Sequence, residues 1–190
     1  MRRPSRPKLV AAAAAAVVLI GGAVALSHSF GSDAESTSPT LGSSAPAGYA
    51  VKLTDVITDC AGHARGQAKA SFEAQDCVKA TRSLATGQVG GRPVLFVASR
   101  IEMTSAEEAA SLKQVLDGSG TGNLNDLLRE GKTFAGAPAE MPASGYASVQ
   151  TGKVVTVAEA GFIDGGTSAS TDAALRAAAA QVATLVNARG

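Results

Sequence analysis

The chain has 190 residues, five Phe, two Tyr and no tryptophan, with 17 Lys plus Arg against 16 Asp plus Glu. Arg2, Arg3, Arg6 and Lys8 place four of those cations at one end, which leaves 13 against 16 acids, a net of −3, for the rest. That balance excludes a strong electrostatic footprint for nucleic acid or anionic lipid, and so few rings leave little platform for stacking bases or sugars.

Residues 1–8 form a basic tip, and residues 9–26, from Leu9 to Leu26, form an uncharged apolar run. As a helix rising ~1.5 Å per residue, these 18 residues would reach about 27 Å, just enough for a thin hydrocarbon core. Two readings compete. A cleaved signal peptide has a shorter apolar middle and a small-residue cleavage site, and Ala23-Val24-Ala25 or Ser27-His28-Ser29 offers one. The length of the run favours an uncleaved transmembrane anchor, although Ala11 to Ala16 are only mildly apolar. In both readings the cationic tip stays in the cytoplasm and the C-terminal bulk lies outside. The expected location is a single-pass membrane protein with its domain outside, or a secreted protein after cleavage.

Residues 27–48 are rich in Ser, Gly, Pro and Thr, and such a segment has too little to bury to offset its ordering entropy. A flexible linker is expected there. Residues 49–190 then form one extracytoplasmic domain, long enough for a core of its own.

Within that domain, Thr54 to Cys60 and the Ala-rich Gln67 to Asp76 are short and weakly helical in pattern. Cys60 and Cys77 are the only cysteines, and an even count in an oxidising compartment predicts a disulfide. Val78 to Thr86 reads as a strand, Gly87, Gly90 and Gly91 as a turn, and Pro93 to Met103 as a second, strongly β-rich strand. Ser105 with Glu108, and Thr104 with Glu107, have capping-box spacing ahead of a helix whose apolar face carries Ala109, Leu112, Val115 and Leu116, stopped at Gly118. After a Gly-rich break through Gly122, a short helix is predicted over Asn123 to Glu130, and Lys132 to Gly145, with Pro138 and Pro142, as irregular. A second hairpin pairs Tyr146 to Gln150 with Lys153 to Phe162 across Thr151-Gly152. The last element is a helix from Asp172 to Asn187, with Thr171 as N-cap and Leu175, Ala179, Val182, Leu185 and Val186 on its apolar face. The expected fold is α/β of the α+β type. It is a two-layer sandwich in the order α-ββα-ββα, with a mainly antiparallel four-stranded sheet, both long helices on one face, and the strand order left open.

Chemical motifs are mostly missing. Gly131-Lys132-Thr133 resembles the tail of a phosphate loop, but Asp126 stands where that loop needs glycine. Gly118-Ser119-Gly120-Thr121-Gly122 follows a helix rather than a strand, so a flexible connector is expected in place of a nucleotide loop. Gly166-Thr167-Ser168-Ala169-Ser170 fails as a nucleophile elbow at its last position, and in the exported part no lysine has a serine three residues before it. The two histidines are His28 and His63, so imidazole acid–base chemistry in the domain would depend on His63 alone. His63 lies near Cys60 and Asp59, but no further ligands cluster there. It is expected to be a solvated residue on the disulfide loop. Glu107, Glu108 and Asp172 fit helix starts, and Asp164 a turn. No catalytic residue, metal ligand or cofactor is assigned, and the ligand-binding residues stay open.

The segments Arg2 to Leu26, Cys60, Cys77, Phe96 to Gly118 and Asp172 to Asn187 together give a pattern that resembles uncharacterised exported proteins of actinomycete type. Those share a basic N-terminus, an Ala/Val anchor, a Ser/Pro linker and a domain with a cysteine pair around its first helical segment. The resemblance implies location and fold type only. The expected function is a non-enzymatic extracytoplasmic interaction or ligand-binding module, tethered to the membrane through residues 9–26. Its partner is an envelope protein or small ligand, with no nucleic acid. The alternatives are a hydrolase-like cell-envelope enzyme without a recognisable motif, and a sensory ectodomain acting through a membrane partner.

Overall fold

A computed structural model describes residues 45–166 and 172–189. The apolar run from Leu9 to Leu26 and the linker up to residue 44 lie outside the described residues, as does Thr171. Among the described residues no helix is long and apolar enough to cross a membrane.

The strands are β1 (Ala50–Ile57), β2 (Lys79–Val89), β3 (Arg92–Glu102), β4 (Ser144–Thr151) and β5 (Val154–Phe162). The helices are α1 (Gly66–Ala74), α2 (Ala106–Asp117) and α3 (Ala173–Asn187), with a short 3-10 turn at Ala61–His63 before α1. All five strands join one sheet in the order β1-β2-β3-β5-β4, and every neighbouring pair is antiparallel. The sheet therefore has five strands where four were expected. The fifth is β1, whose second half, from Thr54, overlaps the segment read as weakly helical and whose first half was assigned to no element. Leu53, Asp55 and Ile57 are half-buried and alternate with exposed Thr54 and Val56, a period of two that suits a strand. The polar Asp55 on the inner face hides that alternation from a purely apolar count.

The helices cover both faces, which corrects the expected two-layer arrangement. Val94, Phe96 and Ala98 of β3, with Ala158, Ala160 and Phe162 of β5, pack under Leu175, Ala179 and Val182 of α3. The opposite face holds Ile101 of β3 with Val155 and Val157 of β5, against Phe72 of α1 and Leu112 and Leu116 of α2. Leu84, Leu95 and Val97 continue that second face under Leu127 and Leu128 of the long α2–β4 connection. Val94 to Ala98 are all buried, consecutively, which is the mark of a strand covered on both sides. Phe96 is 1% exposed; burying a side chain of that kind stabilises by ~1.5–3 kcal/mol.

The local signals hold well elsewhere. Ser105 caps α2 by accepting from the Glu108 amide at 3.1 Å, and the Glu108 carboxylate reaches back to the Thr104 amide at 3.1 Å. Asp172, rather than Thr171, is the N-cap of α3; its carboxylate accepts from the amides of Ala174 at 2.8 Å and Leu175 at 3.2 Å. The predicted helix over Asn123 to Glu130 does not form. That stretch makes an isolated bridge from Leu124 to Ala64 and then turns. Leu124, Leu127 and Leu128 all point inward, and holding the backbone against the start of α1 outweighs a helix too short to be stable on its own.

Candidate functional site

The start of α1 shapes the site. Arg65, its N-cap, makes no side-chain cap, so the first helical amides need acceptors from elsewhere. The carbonyl of Thr121 supplies one, accepting from Gln67 at 2.6 Å and Ala68 at 3.3 Å, while the Arg65 amide donates to the Asn123 carbonyl at 3.1 Å. Two backbones meet so closely here that a Cβ on Gly122 (φ +90°) would collide with the Arg65 carbonyl. The Gly118–Gly122 stretch is thus no free connector. It is seated on the N-terminus of α1 and held by the Thr121 hydroxyl, which donates to the carbonyls of Val115 and Gly118, each at 2.6 Å.

Between this loop, the end of α2 and β4 lies an open cleft of about 600 Å³. Arg65, Ser119, Asn123, Tyr146 and Asp117 give it polar groups, and Leu116 gives it an apolar patch. Asp117 is held from three sides, by Lys113 at 2.5 Å, the Ser148 hydroxyl at 2.6 Å and the Tyr146 hydroxyl at 3.0 Å. Burial pushes its carboxyl up, but these three donors outweigh burial and keep it below the usual carboxylate range. Tyr146 moves the other way: burial first, and then the Asp117 charge, raise its phenol above the ordinary value, so it remains a hydrogen-bond donor.

An ionic network is centred on the buried Arg82. The Arg82 side chain is 1% exposed and pairs with Asp55 at 2.5 Å and Glu130 at 2.7 Å. It also donates to the Asn125 carbonyl at 3.0 Å. Lys132 reaches Asp55 at 3.0 Å, and His63 Nδ1 lies 2.7 Å from Glu130. Arg65 joins the cleft to this network through the Asn125 side-chain oxygen at 3.3 Å. Burial alone would lower the Arg82 pKa, and Glu130 and Asp55 more than reverse that. Asp55 is held low first by the bond from Arg82 and then by Lys132. Glu130 is pushed up by burial, but Arg82 and His63 bring it below its ordinary value.

His63 thus lies on the disulfide loop and is partly exposed, as expected, but it is paired with Glu130 rather than left to solvent alone. The 3-10 turn carries it toward Glu130, 67 positions away, and its side chain is one-third exposed. Cys60 and Cys77 are brought together, with sulfurs at disulfide distance and Cα atoms 5.8 Å apart. Asp76 lies beside them, where its carboxylate accepts from the amides of Cys60 at 3.0 Å and Cys77 at 2.8 Å. Joined sulfurs are not thiolates, so these three residues are explained without a metal. Asp59 accepts from the Gly62 amide at 2.8 Å and shapes the turn. Asp164 pairs with Arg92 at 2.6 Å, and the Arg92 guanidinium stacks 3.7 Å over Phe162.

The sequence reading missed Arg65, Arg82, Asp117, Glu130 and Tyr146. One signal was present: Arg82 sits between Ala80 and Leu84 on the inner face of β2, and a cation on an apolar strand face needs a buried partner. Comparison with known proteins finds no match: no family model, no curated protein and no solved structure matches this chain.

Proposed function

We propose that this protein is a membrane-tethered extracytoplasmic ligand-binding module whose ligand sits in the cleft beside Arg65. The carrying observation is the cleft of about 600 Å³ with walls fixed by backbone contact. A volume of that size suits a small molecule. Its donors are Arg65, Ser119 and Asn123; the Tyr146 hydroxyl already donates to Asp117, and that carboxylate, the one in the cleft, serves three partners. Such walls favour a polar ligand rich in acceptor oxygens over an apolar one. The basic tip, the apolar run and the acidic balance of the remainder support a domain held outside the membrane.

A second reading as a hydrolase-like envelope enzyme draws on His63. Its imidazole is 2.7 Å from Glu130, the arrangement of a carboxylate-oriented general base. Glu130 is also an ion-pair partner of Arg82, however, and His63 does not line the cleft. One experiment separates the two. Full-length protein is dialysed against a small-molecule extract of the cell envelope, and bound compounds are identified by mass spectrometry. The binding reading expects a compound retained unchanged by the wild type and lost from Arg65→Gln. A compound that is consumed, with turnover abolished in His63→Gln, would move the assignment to the enzyme.

A further inference from the structure

α3 covers only part of its face of the sheet. It packs on β3, β5 and β4 and barely touches β2, so the β1–β2 half is left open beside its C-terminal end. The opening is a groove of about 320 Å³. Three cations line it from three different elements: Lys79 of β2, Arg100 of β3 and Arg189 just beyond α3. Thr81 and Ser83 add hydroxyls from the same face of β2, and no carboxylate is among the lining residues. Glu102, which stands opposite Lys79 on the neighbouring strand, is engaged by Lys153 at 2.9 Å and more loosely by Lys79 at 3.9 Å.

Two donors there lack acceptors. The Tyr49 hydroxyl and Arg100 Nε are both buried with no hydrogen-bond partner, and both residues line the groove. Buried donors are nearly always paired in folded proteins, so two orphans beside one cationic groove point to a missing acceptor. The donors approach from the start of β1, from β2, from β3 and from the end of α3. A planar carboxylate meets donors mainly in its own plane, whereas the oxygens of a tetrahedral phosphate spread in several directions. Arginine forks suit that group in particular.

We propose that this groove is a binding site for a phosphate group, held by Arg100, Arg189 and Lys79. It is separate from the cleft beside Arg65 and does not depend on the reading of that cleft. The phosphate has two candidate sources, a soluble phosphorylated compound and a phospholipid headgroup. The second is relevant because the groove begins at Tyr49, where the linker enters the domain.

The test is calorimetric titration of the full-length chain in phosphatidylcholine nanodiscs. One arm uses inorganic phosphate; the other uses dihexanoyl phosphatidylglycerol kept below its micelle concentration. One-to-one saturable binding that weakens with added salt is expected in at least one arm. Arg100→Gln is expected to weaken it about tenfold or more, as loss of a charge-assisted contact would. Arg189→Gln, at an exposed position where folding is not at risk, should weaken it in the same direction. Arg129→Gln, an exposed cation away from the groove, should leave it unchanged. Saturation by free phosphate assigns a soluble ligand, and saturation by the lipid alone assigns a headgroup. No saturation in either arm, or wild-type binding by both Arg100→Gln and Arg189→Gln, would overturn the proposal.

Discussion

Arg82 puts a permanent charge into a strand face, and its partners make that arrangement tolerable. Removing the cation leaves Asp55 to Lys132 and Glu130 to His63, and because both carboxylates are partly exposed the loss costs less than the ~3–5 kcal/mol of a fully buried pair. Arg82→Met is therefore expected to lower the free energy of unfolding by about 1–3 kcal/mol in urea titration. The network also sets an acid limit. Asp55 and Glu130 are held below their ordinary values, so their contribution is complete above the unfolded carboxylate range. It is lost as pH falls through the lower folded values, which places the decline below about pH 4. In Arg82→Met that acid decline should be shallower, read as melting temperature against pH. A cation between Ala80 and Leu84 was visible in the sequence, but its partners were not. Asp55 lies 27 positions away and Glu130 was assigned to a helix that does not form. The pairing of His63 was missed for the same reason: what orients it is distant in the chain.

Elements whose signals are local were legible, and those defined by distant contacts were not. The two hairpins, α2 and α3 follow from β-rich runs, turn glycines and N-cap residues a few positions apart. β1 was missed because its alternation includes Asp55, and the 123–130 segment because its leucines serve a docking surface rather than a helix face. The docking of the Gly-rich loop on α1 is the element-scale feature most open to a single change. Gly122→Ala adds a Cβ against the Arg65 carbonyl at a left-handed φ of +90° and is expected to destabilise by about 1–3 kcal/mol. The same variant should lose binding at the cleft, because that loop forms its wall; calorimetric melting and ligand retention measure the two effects. The cysteine pair ties the turn before α1 to the residue ahead of β2. In secreted material, reduction should add the mass of two hydrogens and cost about 3 kcal/mol of stability, the chain-entropy value for a loop of this length. An unchanged mass under reductant would mean that the bond does not form in the cell.

At the scale of the molecule, the order of strands and helices spoke to the fold class but not to layering. The consecutive burial of Val94 to Ala98 is what demands cover on both faces, and only the packing shows which helix lies on which side. The same holds for charge. Residues 9–190 are mildly acidic as a whole, yet Lys79, Arg100 and Arg189 converge on one groove, and a net count averages such a patch away. The site likewise rests on three separated segments: the start of α1, the end of α2 and β4. Binding of a ligand in this cleft, outside the membrane as proposed, can be read in the cell. A photo-crosslinking side chain at Ser119, in the cleft, is compared with one at Glu107, at the far end of α2. An adduct of defined mass is expected from position 119 on the outer side of the membrane, absent from position 107 and lost when Arg65→Gln is added. No adduct from position 119, or equal adducts from both positions, would contradict it.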